Sequence, residues 1–155
     1  VESGPAGARP GTLPSPLASI DRSTPPQVAA ATRLTEEGRV QLESGDSDAA
    51  LERFERAIAI DPTNLYAYYF LGEVHLQRGN YEQAITFADR AVALSTNGDH
   101  AWLARACALQ GQVYEAAGRF ADARDAYQRA LQANPGEPSA VAGLGRVGSG
   151  MGATP

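Results

Sequence analysis

The chain of 155 residues contains no lysine; all 13 of its basic residues are arginine. It has one cysteine, one methionine, one tryptophan and two histidines. A single thiol, Cys107, excludes an internal disulfide framework and any cysteine-rich zinc module. His75, His100 and Cys107 are the only soft ligand candidates, and a transition-metal site needs three or four that converge. No metal is therefore expected: His75 and Cys107 read as core residues and His100 as a solvated one. No apolar run approaches the roughly 18 to 20 residues that cross a bilayer, so direct membrane insertion is not expected. Val1-Glu2-Ser3-Gly4-Pro5 offers neither the basic nor the apolar stretch of a signal peptide. A glycine-rich phosphate loop, a nucleophile elbow and a His-Glu-x-x-His motif are all missing, so no catalytic residue and no cofactor is expected. The carboxylate pairs Glu36-Glu37 and Asp122/Asp125 read as solvated helix faces.

Acidic residues outnumber basic ones by 18 to 13, giving a net charge of −5 and a pI near 5.0. Neutralising phosphates needs a basic patch, so no nucleic-acid partner is expected. The arginine bias, with abundant alanine and glycine, points to a GC-rich, bacterial genome. Hydrophobic residues at 43% and charged residues at 20% are ordinary for a soluble globular chain with one core.

The chain changes character near residue 25. Six of the ten prolines lie in the first 26 residues, and no aromatic precedes Phe54. Such a stretch buries too little apolar surface to offset ordering, so residues 1–24 read as a disordered linker. The alternative is a short segment that docks through Leu13, Leu17 and Ile20. Residues 148–155 read as a flexible tail. Between them, residues 25–147 are rich in helix formers, and apolar spacing such as Leu51, Phe54, Ala57, Ile58 is helical. Helices are expected from Thr24, as cap with Pro25 in the first turn, to about Glu43, then over Ser47 to Ile60, Asn64 to Gly79 and Tyr81 to Leu94. Three more are expected over Asp99 to Ala117, Phe120 to Ala133 and Pro138 to Val147. Short loops make neighbours antiparallel, and no window shows the alternation of a strand.

The chain also repeats itself. Counting from Gly38, Ala50, Phe54, Ala57 and Pro62 follow at offsets 12, 16, 19 and 24. Counting from Gly111, Ala123, Tyr127, Ala130 and Pro135 follow at the same offsets. From Gly72, Ala84 and Ala91 recur, with Phe87 beside the aromatic offset and Thr96 replacing proline. Gly38 to Gly72 and Gly111 to Gly145 each span 34 residues, whereas Gly72 to Gly111 spans 39. Five extra residues thus enter before the third repeat.

This pattern resembles the tetratricopeptide repeat (TPR) family, whose unit is a helix–turn–helix of about 34 residues. The resemblance covers residues 31–147. It implies an all-α, right-handed superhelical solenoid with repeats at about 31–64, 65–98 and 104–137, and a capping helix over 138–147 built on Val141, Leu144 and Gly145. In the family the repeated glycines and alanines sit where paired helices cross, and Phe54 and Tyr127 fill the space toward the next repeat. Glu37, Gln41 and Gln110 depart from the family's apolar or aromatic preferences, which implies looser packing in the first and third repeats. The insertion implies either a fifth helix longer by a turn or a loosened start to it, with a change of pitch there. Trp102, Ala106, Leu109 and Val113 form a stripe at helical spacing and read as core.

A solenoid of this kind leaves a concave face lined by the first helix of each pair. The groove residues implied are Thr32, Thr35, Arg39 and Leu42, then Tyr66, Tyr69, Glu73 and Leu76, then Arg105, Ala108, Gln112 and Glu115. Tyr66, Tyr69 and Leu76 would make an apolar strip edged by arginine and glutamate, the composition of interface anchors. The alternative is that the two tyrosines only cover repeat junctions. At the positions of the family's carboxylate clamp stand Thr35, Arg39, Phe70, Arg105 and Leu109, and only Arg105 resembles the required cation, so a chaperone-tail clamp is not expected. The resemblance implies a non-catalytic scaffold that binds a partner protein or peptide in this groove. A homo-oligomeric assembly module on an envelope tether is the alternative, and an accessory segment of a longer enzyme is a third. The proline-rich lead favours the bacterial periplasm over the cytoplasm as location.

Overall fold

The computed structural model describes residues 14–96 and 98–150. Among them, seven α-helices follow one another and no strand occurs: α1 (Pro26–Glu43), α2 (Ser47–Ile60), α3 (Leu65–Gln77), α4 (Tyr81–Ser95), α5 (His100–Ala116), α6 (Phe120–Ala133) and α7 (Pro138–Gly150). The architecture is an all-α solenoid of antiparallel hairpins, as expected. No helix of the described residues is long and apolar enough to cross a membrane.

Local chemistry sets the boundaries. Asp46, Asn64 and Asp99 cap α2, α3 and α5, each side chain accepting the N–H three residues on. The first helix of each hairpin ends on a glycine at positive φ, namely Gly45, Gly79 and Gly118, at 90°, 75° and 76°. The following N–H then returns to the carbonyl five residues back, at 2.9, 2.9 and 2.8 Å. Only glycine takes that left-handed geometry without strain, and it reverses the chain within a very short loop. The start of α1 departs from expectation. Pro25 occupies the cap without a side-chain bond. Thr24 instead accepts the Asp21 N–H at 2.9 Å, closing a turn in which Asp21 also binds the Ser23 N–H. A residue before proline is pushed out of helical space, so Thr24 serves the turn and not the helix.

Rings packed on glycines hold the hairpins together. A Cβ on Gly38 would lie 2.5 Å from Phe54, and one on Gly111 2.5 Å from Tyr127. Phe54 stacks on Phe70 at 5.5 Å, joining the first hairpin to the second. At the next junction Trp102 receives Tyr66, Tyr69 and Phe70 edge-on at 4.8, 5.4 and 6.3 Å. Trp102, Ala106, Leu109 and Val113 are all buried, so the stripe is core. Burying a ring of this kind is worth about 1.5–3 kcal/mol. Of the two alternatives for the insertion, the structure has the longer helix: α5 has 17 residues against 13 in α3. Gln110 is buried at the end of that strip of core; its amide donates to Asp89 at 2.6 Å while its carbonyl oxygen has no partner.

Two expectations need correction. Gly145 is not the crossing glycine of α7, for a Cβ there meets nothing within 4 Å. The close approach is at Gly143, where a Cβ would lie 2.2 Å from the Tyr127 ring at the position Phe70 holds against Phe54, and Val141 is 54% exposed. The capping helix also continues three residues past Val147, to Gly150. The second correction concerns residues 14–24, which are not a free linker. Pro16–Ser19 forms a 3-10 turn that packs on α1 and buries Pro16. Ile20 is half-buried and Leu17 exposed, so proline is the docked side chain. Leu13 and the rest of the linker, Asn97, and the tail beyond residue 150 lie outside the described residues.

Candidate functional site

In α3, Tyr68 and His75 turn toward Phe87 of α4 at 6.3 and 5.3 Å, and Gly72 lies against Ala84 and Ala88. At about 100° per residue, Tyr66, Glu73 and Gln77 fall on the opposite side, away from α4. In α1 Gly38 faces Phe54 of α2, which puts Glu36, Arg39 and Glu43 on the corresponding side. The first helices of the hairpins thus share a hollow face, with α2, α4 and α6 behind it.

Eight of the twelve expected groove residues, Arg39, Leu42, Tyr66, Glu73, Leu76, Arg105, Gln112 and Glu115, are half-buried and reachable from solvent. Thr32, Thr35, Tyr69 and Ala108 are buried instead, Thr32 with its hydroxyl on the Val28 carbonyl and Ala108 packed in the core around Tyr127. Thr35 is 0% exposed and donates its hydroxyl to the Ala31 carbonyl at 2.9 Å, a satisfied β-branched residue in the wall of the helix. Tyr69 is 7% exposed, drawn under the surface by Trp102 on the lengthened α5. The junction alternative therefore describes Tyr69 fully and Tyr66 in part.

Charge on the hollow face is paired from within. Arg39 bonds Glu36 at 2.6 Å and also Glu43. The Arg39 guanidinium holds the Glu36 carboxyl below the usual carboxylate range. Glu115 receives Nε and Nη2 of Arg146 at 2.8 and 3.0 Å and the Tyr127 hydroxyl at 2.6 Å, which lowers its pKa in turn. Glu73 differs. It accepts the Tyr69 hydroxyl at 3.0 Å, and burial pushes its pKa up against that bond and the Arg105 charge. Burial likewise pushes the Tyr69 phenol well above its ordinary value. Toward the C-terminal ends of α3 and α5 lies an open recess. Leu76, Ala116 and Phe120 give it apolar walls, and Gln112, Glu115 and Arg146 give it polar ones.

Glu36, Glu43, Arg146 and Phe120 were not among the expected groove residues. Arg146 was within reach of the repeat arithmetic: Arg39, Glu73, Gln112 and Arg146 each follow the repeat glycine by one residue. Phe120 carries no such signal, because it belongs to a second helix and is half exposed only through the geometry of its hairpin. Elsewhere, His75 stacks on Phe87, Cys107 is buried and His100 is exposed. Among the described residues no group of three or more His, Cys, Asp or Glu is placed to hold a metal ion.

Comparison with known proteins places this geometry among relatives. A family model described as tetratricopeptide repeat matches residues 64–135, and one described as TPR repeat matches residues 38–79. Anaphase-promoting complex subunit 3 of Schizosaccharomyces pombe is 32% identical over 98 residues, which is 63% of this chain but 14% of that protein. The chain thus spans about a seventh of that relative. The first TPR of Spaghetti (RPAP3), solved bound to the HSP90 peptide SRMEEVD, superposes with a TM-score of 0.71 at 20% identity, covering 79% of this chain and 94% of that one. MamA superposes with a TM-score of 0.68 at 28% identity, covering 79% and 68%.

Proposed function

The chain belongs to the tetratricopeptide repeat family, and we propose that it is a non-catalytic scaffold that holds a segment of a partner protein against its hollow face. One observation carries this reading. The recess between α3, α5, α6 and α7 brings three expected groove residues, Leu76, Gln112 and Glu115, together with the half-exposed Phe120 ring and Arg146. An exposed aromatic and an aliphatic wall beside oriented polar groups is what an interface anchor needs: apolar area to bury, and hydrogen bonds that fix register. Nothing in the recess resembles a nucleophile with its base, so the reading assigns no reaction to the chain. The bound peptide of the Spaghetti structure supports a peptide in such a hollow, although its acidic sequence is a poor electrostatic match for a face where Glu36, Glu43, Glu73 and Glu115 outnumber the arginines.

The test is selection of binders from a random displayed-peptide library on the intact chain. Selected peptides should lose binding to Leu76→Ala, Gln112→Arg and Phe120→Ala, and keep it for Arg56→Glu and Gln128→Glu on the outer helices. The reverse pattern would place the binding surface on the outside and end the proposal. Tyr69 is unsuitable as a probe, because its removal opens the core beside Trp102.

A further inference from the structure

We propose that residues 15–20 are a tethered, displaceable occupant of the hollow face: the Ser-Pro-Leu-Ala-Ser turn closes the end built by α1 and α3, and a partner segment reaching that end must expel it. This rests on the scaffold reading and adds a means of regulating it. The turn is seated by one ring, with two serines set beside the hollow face. Pro16 is fully buried against α1. The Ser15 hydroxyl stands near the Glu36 carboxylate and helps to lower its pKa, and Ser19, whose hydroxyl donates to the Pro16 carbonyl at 2.7 Å, lines a cleft with Tyr66. Glu36 and Tyr66 belong to the hollow side of two successive first helices, so the turn bridges that face like a ligand. Downstream, Ser19, Asp21, Ser23 and Thr24 line a cleft with Val28, Thr32, Asn64 and Tyr66, which continues the contact toward the start of α1.

The seat is light. Leu17 is 41% exposed and Ala18 and Ser19 are exposed, so beyond Pro16 the turn presents little to the body. Segments held by so few buried contacts open far below the free energy of global unfolding. A short link to α1 compensates, since a tethered ligand acts at an effective concentration near the millimolar range. The contacts also define the competitor: a short segment able to take a 3-10 turn, with a proline flanked by hydroxyl residues, uncharged where it meets Glu36. The other end of the face, with Leu76, Gln112 and Arg146, stays open to the remainder of such a partner.

The experiment uses the full chain carrying Pro16→Asp, which puts a charged carboxylate where a buried ring sits, and a free peptide of residues 15–21. Amide NMR signals of Glu36 and Tyr66 should move in the variant while helicity is kept. The added peptide should restore them saturably, whereas on the wild-type chain it should need about tenfold more or worse, because the tethered copy competes. A second full-length variant, Ser15→Ala with Ser19→Ala, removes the hydroxyls that hold the turn's own shape, on the Leu17 N–H and the Pro16 carbonyl, and should also bind the peptide more tightly than wild type. Unmoved signals in Pro16→Asp, or equal affinity of the peptide for all three chains, would overturn the proposal. Library peptides that bind wild type and Pro16→Asp equally would overturn the competition while leaving the scaffold reading intact.

Discussion

One substitution made at two neighbouring glycines of α7 separates repeat arithmetic from real packing. By spacing, Gly145 is the equivalent of Gly111, and alanine there should be harmful. In the structure a Cβ at Gly145 meets nothing within 4 Å, and the residue is exposed. Gly145→Ala should therefore stabilise the chain by about 0.5–1 kcal/mol, the cost of glycine in a helix interior. At Gly143 the same methyl would lie 2.2 Å from Cζ of Tyr127 and 2.4 Å from Cε2. That ring cannot slide aside freely, for it is 0% exposed and its hydroxyl is held by Glu115 at 2.6 Å. Overpacking of this kind costs about 1–3 kcal/mol, and the helix gain offsets only part of it. Gly143→Ala should be destabilised by about 1–2 kcal/mol on balance. Urea titrations followed by circular dichroism, compared at constant m-value, read both changes. Equal destabilisation at both positions would refute the packing argument and restore the one from spacing.

Other consequences follow from the core and the buried charge. Trp102→Ala removes the ring that holds Tyr66, Tyr69 and Phe70 and should cost about 3–5 kcal/mol in the same titration. Gln110→Met fills the same volume without the unpartnered carbonyl and should stabilise by about 1 kcal/mol, provided the loss of the Asp89 bond is the smaller effect; a fall in stability would show that the bond dominates. Glu73 carries a pH signature. Its folded pKa is raised above the ordinary 4.5 by burial, so between 4.5 and the raised value the folded chain binds the extra proton. Stability from this group is then present at acid pH and lost as pH rises through that window. Glu73→Gln keeps an acceptor for Tyr69 and should be more stable than wild type at pH 7 and nearly equal below pH 4; an unchanged gap across thermal melts at the two pH values would contradict the burial of the charge.

What the chain's letters disclosed was periodicity. Gly38 with Phe54 and Gly111 with Tyr127 recur at one offset because each hairpin solves the same crossing problem, so the recurring residues and the reach of Phe54 to the next hairpin were readable in advance, whereas the seat of each ring on its own hairpin's glycine was not. Helix ends were readable for a similar reason: Asp46, Asn64, Asp99 and the loop glycines act within a few residues of themselves. Position around a helix axis was also readable, and it placed Arg39, Glu73 and Gln112 on the hollow side. Depth was not. Helical spacing gives the direction of Tyr69 and Thr35 but not what stands opposite, and a five-residue insertion moved Trp102 over the first of them. The open space at Gly145 has a different origin: α7 keeps the register of the repeat, with Gly143 following Tyr127 by the same interval as Phe70 follows Phe54, and among the described residues no further helix stands opposite Gly145. Pro16 was hidden for another reason. Composition argued against order over the whole lead, yet one buried ring suffices to seat a single turn.

The burial of Cys107 has a practical consequence. Its thiol is 3% exposed in the cluster that joins α5, α6 and α7, and desolvation pushes its pKa up. A protonated, shielded sulfur resists alkylation and oxidants alike. With no competing thiol anywhere in the chain, the rate at which a maleimide captures it becomes a clock for the breathing of the last hairpin, timed without any engineered label.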